Sequence, residues 1–525
     1  MSFLGKLKRF WKSYFWTDTE KKLFTVFAKK STESGNKDSD LILIQCVEDY
    51  FYYSLFGLVV TNLQQKKNIW VEQYIPRNFS VASYLGIKNF LNSKLFVNRF
   101  KDKKWTRLYS AYCNEIAYSN EQSLGLFIDF KLFIKSIKIA KSLASKEELI
   151  LLKSDNILIG DLIYDTYLRF KPAPTVDLND FYLIVVIWKA LRNIRITKIY
   201  FAKKTPKVLL QSYSTYIQHG ITVRIALLNG TDVYTFGNYQ VMAKKLSLDD
   251  HSHVVSTVHY EKEFETLNDK DIKRLKAERA LQNRLDGKID HATAYMKESA
   301  YKESEYEIPD VRDSVIVFLH DFYDSPHIYR SMVFADFIDW IEFTINELEK
   351  KSIKYFLKPH PNQLPESRDV VKKICEKYPK IKLLSPKITN KQLMNSGIKL
   401  GITVYGTIAH ELVFMGIPVI TCGDNPHSSY KFCFEAKNKK QYSSLIKNMD
   451  SLTYSNLDET KNEVKSFYYM HNLNLSTDEK LLLAAVSKLR RFYGNSGSTQ
   501  VVNLSYLLQK VMNCSAFNTF ISRLI

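Results

Sequence analysis

At 525 residues, with 45% hydrophobic and 25% charged side chains, the chain is long enough for two or three domains with full cores and is not disordered. Lysine and arginine number 75 against 55 acidic residues, a formal charge of +20, yet the cations are spread out and no zinc-finger or RNP-type spacing occurs. That pattern argues against nucleic acid and leaves an anionic membrane, anionic substrates or plain lysine-rich usage as its source.

The six cysteines form no CxxC pair, no signal-type apolar region opens the chain, and the longest apolar run, 182–188, is far short of a membrane span. A cytoplasmic protein with reduced thiols and no cofactor is expected.

Residues 1–30 place Phe3, Leu4, Leu7, Phe10, Trp11, Tyr14 and Phe15 at helical spacing among Lys6, Lys8, Arg9 and Lys12. This basic amphipathic pattern fits the interface of an anionic membrane, and equally a helix packed on the protein itself. Residues 40–245 read as a first α/β domain, with strands at 41–45, 68–73 and 116–119 and helices at 52–65 and 130–144. Asp161 and Asp165 follow a strand-like 156–159 and share one helical face, either toward a cleft or as ordinary partners of the helix dipole. Short apolar stretches at 199–201 and 222–227 read as further elements. His219 in Gln218-His219-Gly220, and Arg224 after it, either bind an anionic acceptor or turn the chain.

Residues 246–305 are charged and read as a helical insertion or interdomain linker. Asp38-Ser39-Asp40 and Asp269-Lys270-Asp271 match the DxD text of metal-dependent transferases, but neither follows an apolar strand. His251-Ser252-His253 lies in a polar stretch, so no metal site is expected. Residues 306–480 read as a second α/β domain, with strands at 314–319, 355–357, 400–404 and 418–422, and residues 481–525 as C-terminal helices. The βα repetition implies a parallel sheet with ligands at the carboxyl ends of its strands.

Three of those strand ends carry chemistry. Lys358-Pro359-His360-Pro361 stiffens the backbone around one imidazole. In Tyr405-Gly406-Thr407, Gly406 admits a close approach and Thr407 is placed to cap a helix. Ile408, Leu412 and Met415 make the apolar face of that helix, and Gly416 suits its C′ position. The helix start suits a phosphate. Glu411, one turn in, either accepts the hydroxyls of a ribose or stands in solvent. His320-Asp321-Phe322-Tyr323-Asp324 follows the strand at 314–319.

Lys-Pro-His-Pro at 358–361, Tyr-Gly-Thr-Ile-Ala-His-Glu at 405–411 and Gly-Ile-Pro-Val-Ile at 416–420 resemble the bacterial capsule and surface-polysaccharide glycosyltransferases of the GT-B fold, in particular the Kdo-transferase and sialyltransferase-like groups. The blocks at 159–169, 218–224 and 320–327 extend the resemblance over roughly 40–480. It implies two Rossmann-like domains facing a cleft and a nucleotide-sugar donor, a CMP-linked one among the options. It also implies a glycan or lipid-linked acceptor at the inner face of the membrane, and metal-independent transfer. On this reading Lys358, His360, Pro361, Tyr405, Gly406, Thr407 and Glu411 bind the donor, and His219 and Arg224 bind the acceptor. His360 offsets charge on the leaving phosphate, and Asp161, Asp165, Asp321 and Asp324 are the acids from which a base or nucleophile comes. The alternatives are a phosphotransferase using CDP-glycerol or CDP-ribitol, and a non-catalytic polysaccharide-assembly protein.

Overall fold

Two separate sheets form where short aliphatic runs are buried on both faces, as Val315, Ile316, Val317 and Phe318 are. Such strands need helices on either side, which is the doubly wound arrangement. The computed structural model describes residues 14–28, 38–77, 98–171, 173–288, 306–329, 331–360, 363–495 and 501–524.

In the first unit the strands are β1 (Asp40–Gln45), β2 (Ile69–Ile75), β3 (Glu115–Ser119), a two-residue hairpin β4 (Lys153–Ser154) and β5 (Ile157–Leu158), β6 (Val208–Gln211), β7 (Asp232–Thr235) and β8 (Lys244–Leu246). The sheet order is β3-β2-β1-β6-β7-β8, parallel except for β8. In the second unit β9 (Val315–Phe318), β10 (Tyr355–Lys358), β11 (Lys382–Leu383), β12 (Leu400–Ile402), β13 (Val419–Thr421) and β14 (Phe434–Glu435) run β11-β10-β9-β12-β13-β14, all parallel. Both orders reverse at their first strand, so each sheet has a switch point, β1/β6 in one and β9/β12 in the other. The chain is thus α/β with two Rossmann-like units, GT-B-like in composition.

The first unit takes the chain to Lys171, then Asp177–Val255, then everything from Leu475 on; the second takes 172–176 and Ser256–Asn474. The last three helices place Leu482, Leu489, Leu508, Phe517 and Ile521 in the same core as Phe56 and Phe236. The helix Asp18–Ala28 buries Leu23 and Phe27 there too, and its buried Glu20 meets Lys104 at 2.7 Å and the Tyr50 hydroxyl at 2.5 Å. That part of 1–30 therefore packs on the protein, and the membrane reading does not apply to it. Phe3 to Lys12 lie outside the described residues.

Several expectations change. Residues 199–201 end the helix Phe181–Phe201, and 222–227 lie inside the helix Ile217–Leu228. Both helices are buried nearly all round, which erases the helical period in the sequence. Strands β6 and β7, four residues each, are not legible as strands. The stretch 156–159 belongs to a hairpin, not to the parallel sheet. The helix Lys270–Leu285, expected as part of a charged helical insertion or interdomain linker, buries Ala277, Leu281 and Leu285 in one core with Val464 and Phe467. The Gly416 expectation holds: with φ 82°, it lets its own amide reach Val413 O at 2.9 Å and Ile417 N reach Leu412 O at 2.9 Å, a Schellman end. Met415 is exposed rather than buried, because it caps the helix. No helix among the described residues is long and apolar enough to cross a membrane.

Candidate active site

The carboxyl ends of β9, β10 and β12 bring together most of the residues that the motifs single out. His320 is the first polar residue beyond β9. Its Nε2 lies 3.1 Å from Thr403 Oγ1, just past β12, and accepts the Val404 amide at 3.3 Å. The pair bridges the switch point. A backbone amide only donates, so Nε2 carries no proton and the ring proton sits on Nδ1. The ring stacks on Phe337 at 4.8 Å and meets Tyr405 at 5.1 Å. Burial, helped by His360, pushes its pKa down to about 3, so it is a neutral donor at pH 7.

Lys358 ends β10 and is buried. Its Nζ donates to Pro386 O at 3.0 Å and lies 3.4 Å from Pro359 O. Burial lowers its pKa to about 8. His360 is also held below the ordinary imidazole value by burial; Asp321 pulls it up and Lys358 pushes it down. It therefore offers a neutral N–H at pH 7 rather than the charge expected of it. Pro361 lies outside the described residues.

The turn after β12 differs from expectation. Thr407 has helical angles, φ −59° and ψ −22°, and makes no side-chain cap. Its hydroxyl instead accepts from Arg284 Nη2 at 3.3 Å. The helix Ile408–Phe414 has only 7 residues, too short for much of a dipole. Its first bond runs from Ala409 N to Gly406 O at 3.0 Å, leaving the amides of residues 406–408 ahead of it. A Cβ at Gly406 would lie 3.0 Å from Thr403 Oγ1 and 3.2 Å from Ile408 Cγ2, so a side chain there would crowd the hydroxyl that His320 holds. Tyr405 walls the imidazole, its ring 4.5 Å from Tyr329 and its hydroxyl 3.3 Å from Pro326 O. Glu411 is not in solvent: it is buried, and Oε1 takes Arg284 Nε at 2.6 Å. Asn425, beyond β13, ties this turn down by donating to Val404 O at 3.0 Å.

The acids have varied duties. Asp321 accepts from Leu364 N and Ser367 Oγ, both at 2.8 Å, and from Tyr323 N at 3.1 Å. It fastens the β9 turn to the start of the helix Pro365–Lys377 and faces His360 from there. Asp324 accepts the Ser325 amide at 2.9 Å at an exposed turn. In the first unit, Asp161 and Arg224 form a two-pronged pair at 2.7 and 2.5 Å, and Arg224 also donates to Leu158 O. The pair locks the helix Gly160–Phe170 to the helix Ile217–Leu228, so the arginine expected for an acceptor is already matched by a carboxylate. Asp165 is buried on the same helix as Asp161.

The carboxyl end of the first sheet holds a neutral network. Ser212 N donates to Gln45 Oε1 at 3.0 Å, which fixes the orientation of that amide. Gln45 Nε2 then donates to the Tyr74 hydroxyl at 2.9 Å and to His219 Nδ1 at 2.6 Å. The Tyr74 hydroxyl donates in turn to Gln211 Oε1 at 2.6 Å. His219 is thereby set as the tautomer with Nε2–H, and burial holds its pKa at about 3. Just before it, Tyr216 adopts φ 63°, ψ 157°, a region that costs roughly 1–3 kcal/mol for an L residue. The Ile217 amide, bonded to Thr166 Oγ1 at 3.0 Å, helps hold it.

His320, Thr403 and Arg284 escaped the sequence reading as individual site residues. The first polar residue after an apolar strand was a signal for His320. Arg284 had none, since it comes from a charged helix more than 100 residues upstream of Glu411. Among the described residues no group of three or more His, Cys, Asp or Glu side chains is placed to hold a metal ion.

No protein-family model matches the chain, and no curated protein does. Among solved structures it is similar to the UDP-GlcNAc 2-epimerase of Neisseria meningitidis bound to UDP-GlcNAc, at 10% identity over 87% of this chain and 99% of that one, with a TM-score of 0.21. It is similar to a glycosyltransferase of Rickettsia africae ESF-5, at 12% identity over 91% and 100% of the two chains, with a TM-score of 0.25. A third is the wall teichoic acid polymerase TagF, at 10% identity over 91% and 94%, with a TM-score of 0.18. At TM-scores of 0.18 to 0.25 these likenesses carry no argument about the reaction; that rests on the site itself.

Proposed function

We propose that this chain is a glycosyltransferase of surface-polysaccharide synthesis that binds a nucleotide-sugar at the carboxyl end of its second sheet. The supporting observation is the cluster of Lys358, His360, His320 and Thr403 around the β9/β12 switch point. At pH 7 it offers one buried ammonium, two neutral imidazoles and a hydroxyl. One cation with neutral donors suits the single negative charge of a phosphodiester, as in a CMP-sugar, better than a diphosphate. In transfer, an acceptor hydroxyl oxygen bonds to the anomeric carbon and gives its proton to a base. The sugar–phosphate C–O bond breaks, its electron pair going to the phosphate. Lys358 and His360 stabilise the charge that develops there, which is the larger share of such catalysis.

Asp161, Asp165, Asp321 and Asp324 are the candidates for the base, Asp161 being paired with Arg224 and Asp321 bonded to Leu364 N and Ser367 Oγ. His219, with Nε2–H fixed outward from Gln45, serves an acceptor as a hydrogen-bond donor. Glu411 keeps a ribose role only through the oxygen that Arg284 Nε does not take. Phe3 to Lys12 are proposed to hold the chain at an anionic membrane, where a lipid-linked acceptor lies. No divalent ion is required, because Lys358 supplies the charge.

Product analysis across CMP-, UDP- and GDP-sugars and CDP-glycerol, with and without EDTA, tests the reading. Sugar transfer that survives EDTA supports it. Transfer of glycerol phosphate would establish the phosphotransferase instead. Nucleotide binding without turnover on any donor would leave a non-catalytic assembly protein.

A further inference from the structure

The helix Leu126–Ser142 of the first unit carries a pattern that none of this chemistry uses. One side faces inward: Ser136 and Ala140 are buried, Asp129 pairs with Arg192, and the Phe133 ring lies 5.8 Å from Trp188. The other side carries Lys131, Lys135 and Lys138 at i, i+4 and i+7, all exposed. At its first turn Leu126 is 93% exposed, Phe127 69% and Phe130 63%. Phe181, which opens the neighbouring helix, is 61% exposed with its ring 6.5 Å from Phe133. Lys131 Nζ sits 4.2 Å from the centre of the Phe127 ring. The one acid of this helix, Asp129, is spent on Arg192.

Large apolar side chains gathered in water mark a contact surface rather than scattered exposure. Their neighbours select the partner. Protein interfaces are depleted in lysine, and a twofold contact between copies would set this lysine row against itself. Bulky aromatics beside a row of lysines match the headgroup–acyl boundary of an anionic bilayer. We propose that this face docks on an anionic lipid surface. Leu126, Phe127 and Phe130 enter the acyl boundary, and Lys131, Lys135 and Lys138 meet the headgroup phosphates. The contact is separate from the N-terminal segment and independent of the donor chemistry.

Flotation of the full chain with phosphatidylcholine vesicles, with or without phosphatidylglycerol, tests it. Wild type should float with the anionic vesicles, less so at high salt. Phe127→Ser with Phe130→Ser alters residues already in water, so the fold should persist, and partition should fall at least about tenfold. Lys131→Ser with Lys135→Ser and Lys138→Ser should lose the preference for anionic vesicles and most of the salt dependence. Removing residues 1–13 should leave the effect of the phenylalanine variant intact. Wild-type flotation of that variant would overturn the proposal. So would a chain that binds neither vesicle, or one whose phenylalanines matter only for self-association in light scattering.

Discussion

The two sheets share one strand order, yet their carboxyl ends are built from opposite materials. At β1/β6 a chain of amide, phenol and imidazole runs from Ser212 N through Gln45 to Tyr74 and His219, with every proton assigned and no net charge. At β9/β12 a comparable imidazole bridge, His320 to Thr403, stands beside a buried lysine. The same topology thus makes one end that presents a fixed neutral donor and another that presents a buried cation. A buried ammonium bonded to carbonyls keeps a desolvation cost that a phosphate would relieve, whereas a closed neutral network needs no ligand. The difference lies in a few side chains at strand ends, not in the fold.

The largest effect should come from the ion pair behind the second site. Arg284→Met leaves Glu411 buried and unpaired, at a cost of about 3–5 kcal/mol in chemical denaturation. Adding Glu411→Leu should recover much of that. If the double variant is as unstable as the single, the pair is not what holds the 405–411 turn.

Next is the charge itself. Lys358→Met should lower kcat by about 10²–10³ while the protein stays folded. Its signature in stability has a definite sign. The folded pKa, about 8, lies below the ordinary 10.5, so between these values the unfolded chain binds more protons. Wild type should therefore gain stability relative to the variant as pH rises from about 8 to 10.5. A flat difference across that window would mean that the lysine is solvated.

A smaller change should turn the first sheet's end into something like the second. Gln45→Glu places a carboxylate against His219 Nδ1, which favours a second proton on the ring. The His219 titration followed by NMR should move up from about 3 toward or beyond the ordinary 6.5. A titration still near 3 would show that Gln45 does not set the proton. Smallest of all, Thr403→Val removes one hydroxyl at the bridge and should cost about 1 kcal/mol in stability. A larger loss would reveal a wider role for that contact.

Legibility in the sequence followed burial. Aliphatic runs such as Val315–Phe318 and the Pro- and Gly-marked strand ends were plain, because both pattern and punctuation are local. Gly416 told its own conformation. The first unit hid β6 and β7, since four-residue strands between wholly buried helices lose both periods. Thr407 and Glu411 read as cap and ribose ligand because nothing local announces Arg284, which claims both. His360 looked cationic in the sequence, and its burial beside Lys358 pushes it further toward the neutral form. Proton state is a tertiary property, and it was the part least open to inspection.

The central claim is that the nucleotide phosphate binds at the second sheet's carboxyl end, on Lys358, and not at the first. Calorimetry of CMP binding to wild type, Lys358→Met and His219→Phe, at pH 7 and pH 9, tests this directly. The account predicts tight binding at pH 7 that weakens at pH 9 as Lys358 loses its proton, is lost in Lys358→Met, and is unchanged in His219→Phe. Binding that survives Lys358→Met with no pH dependence, or that disappears in His219→Phe alone, would contradict it.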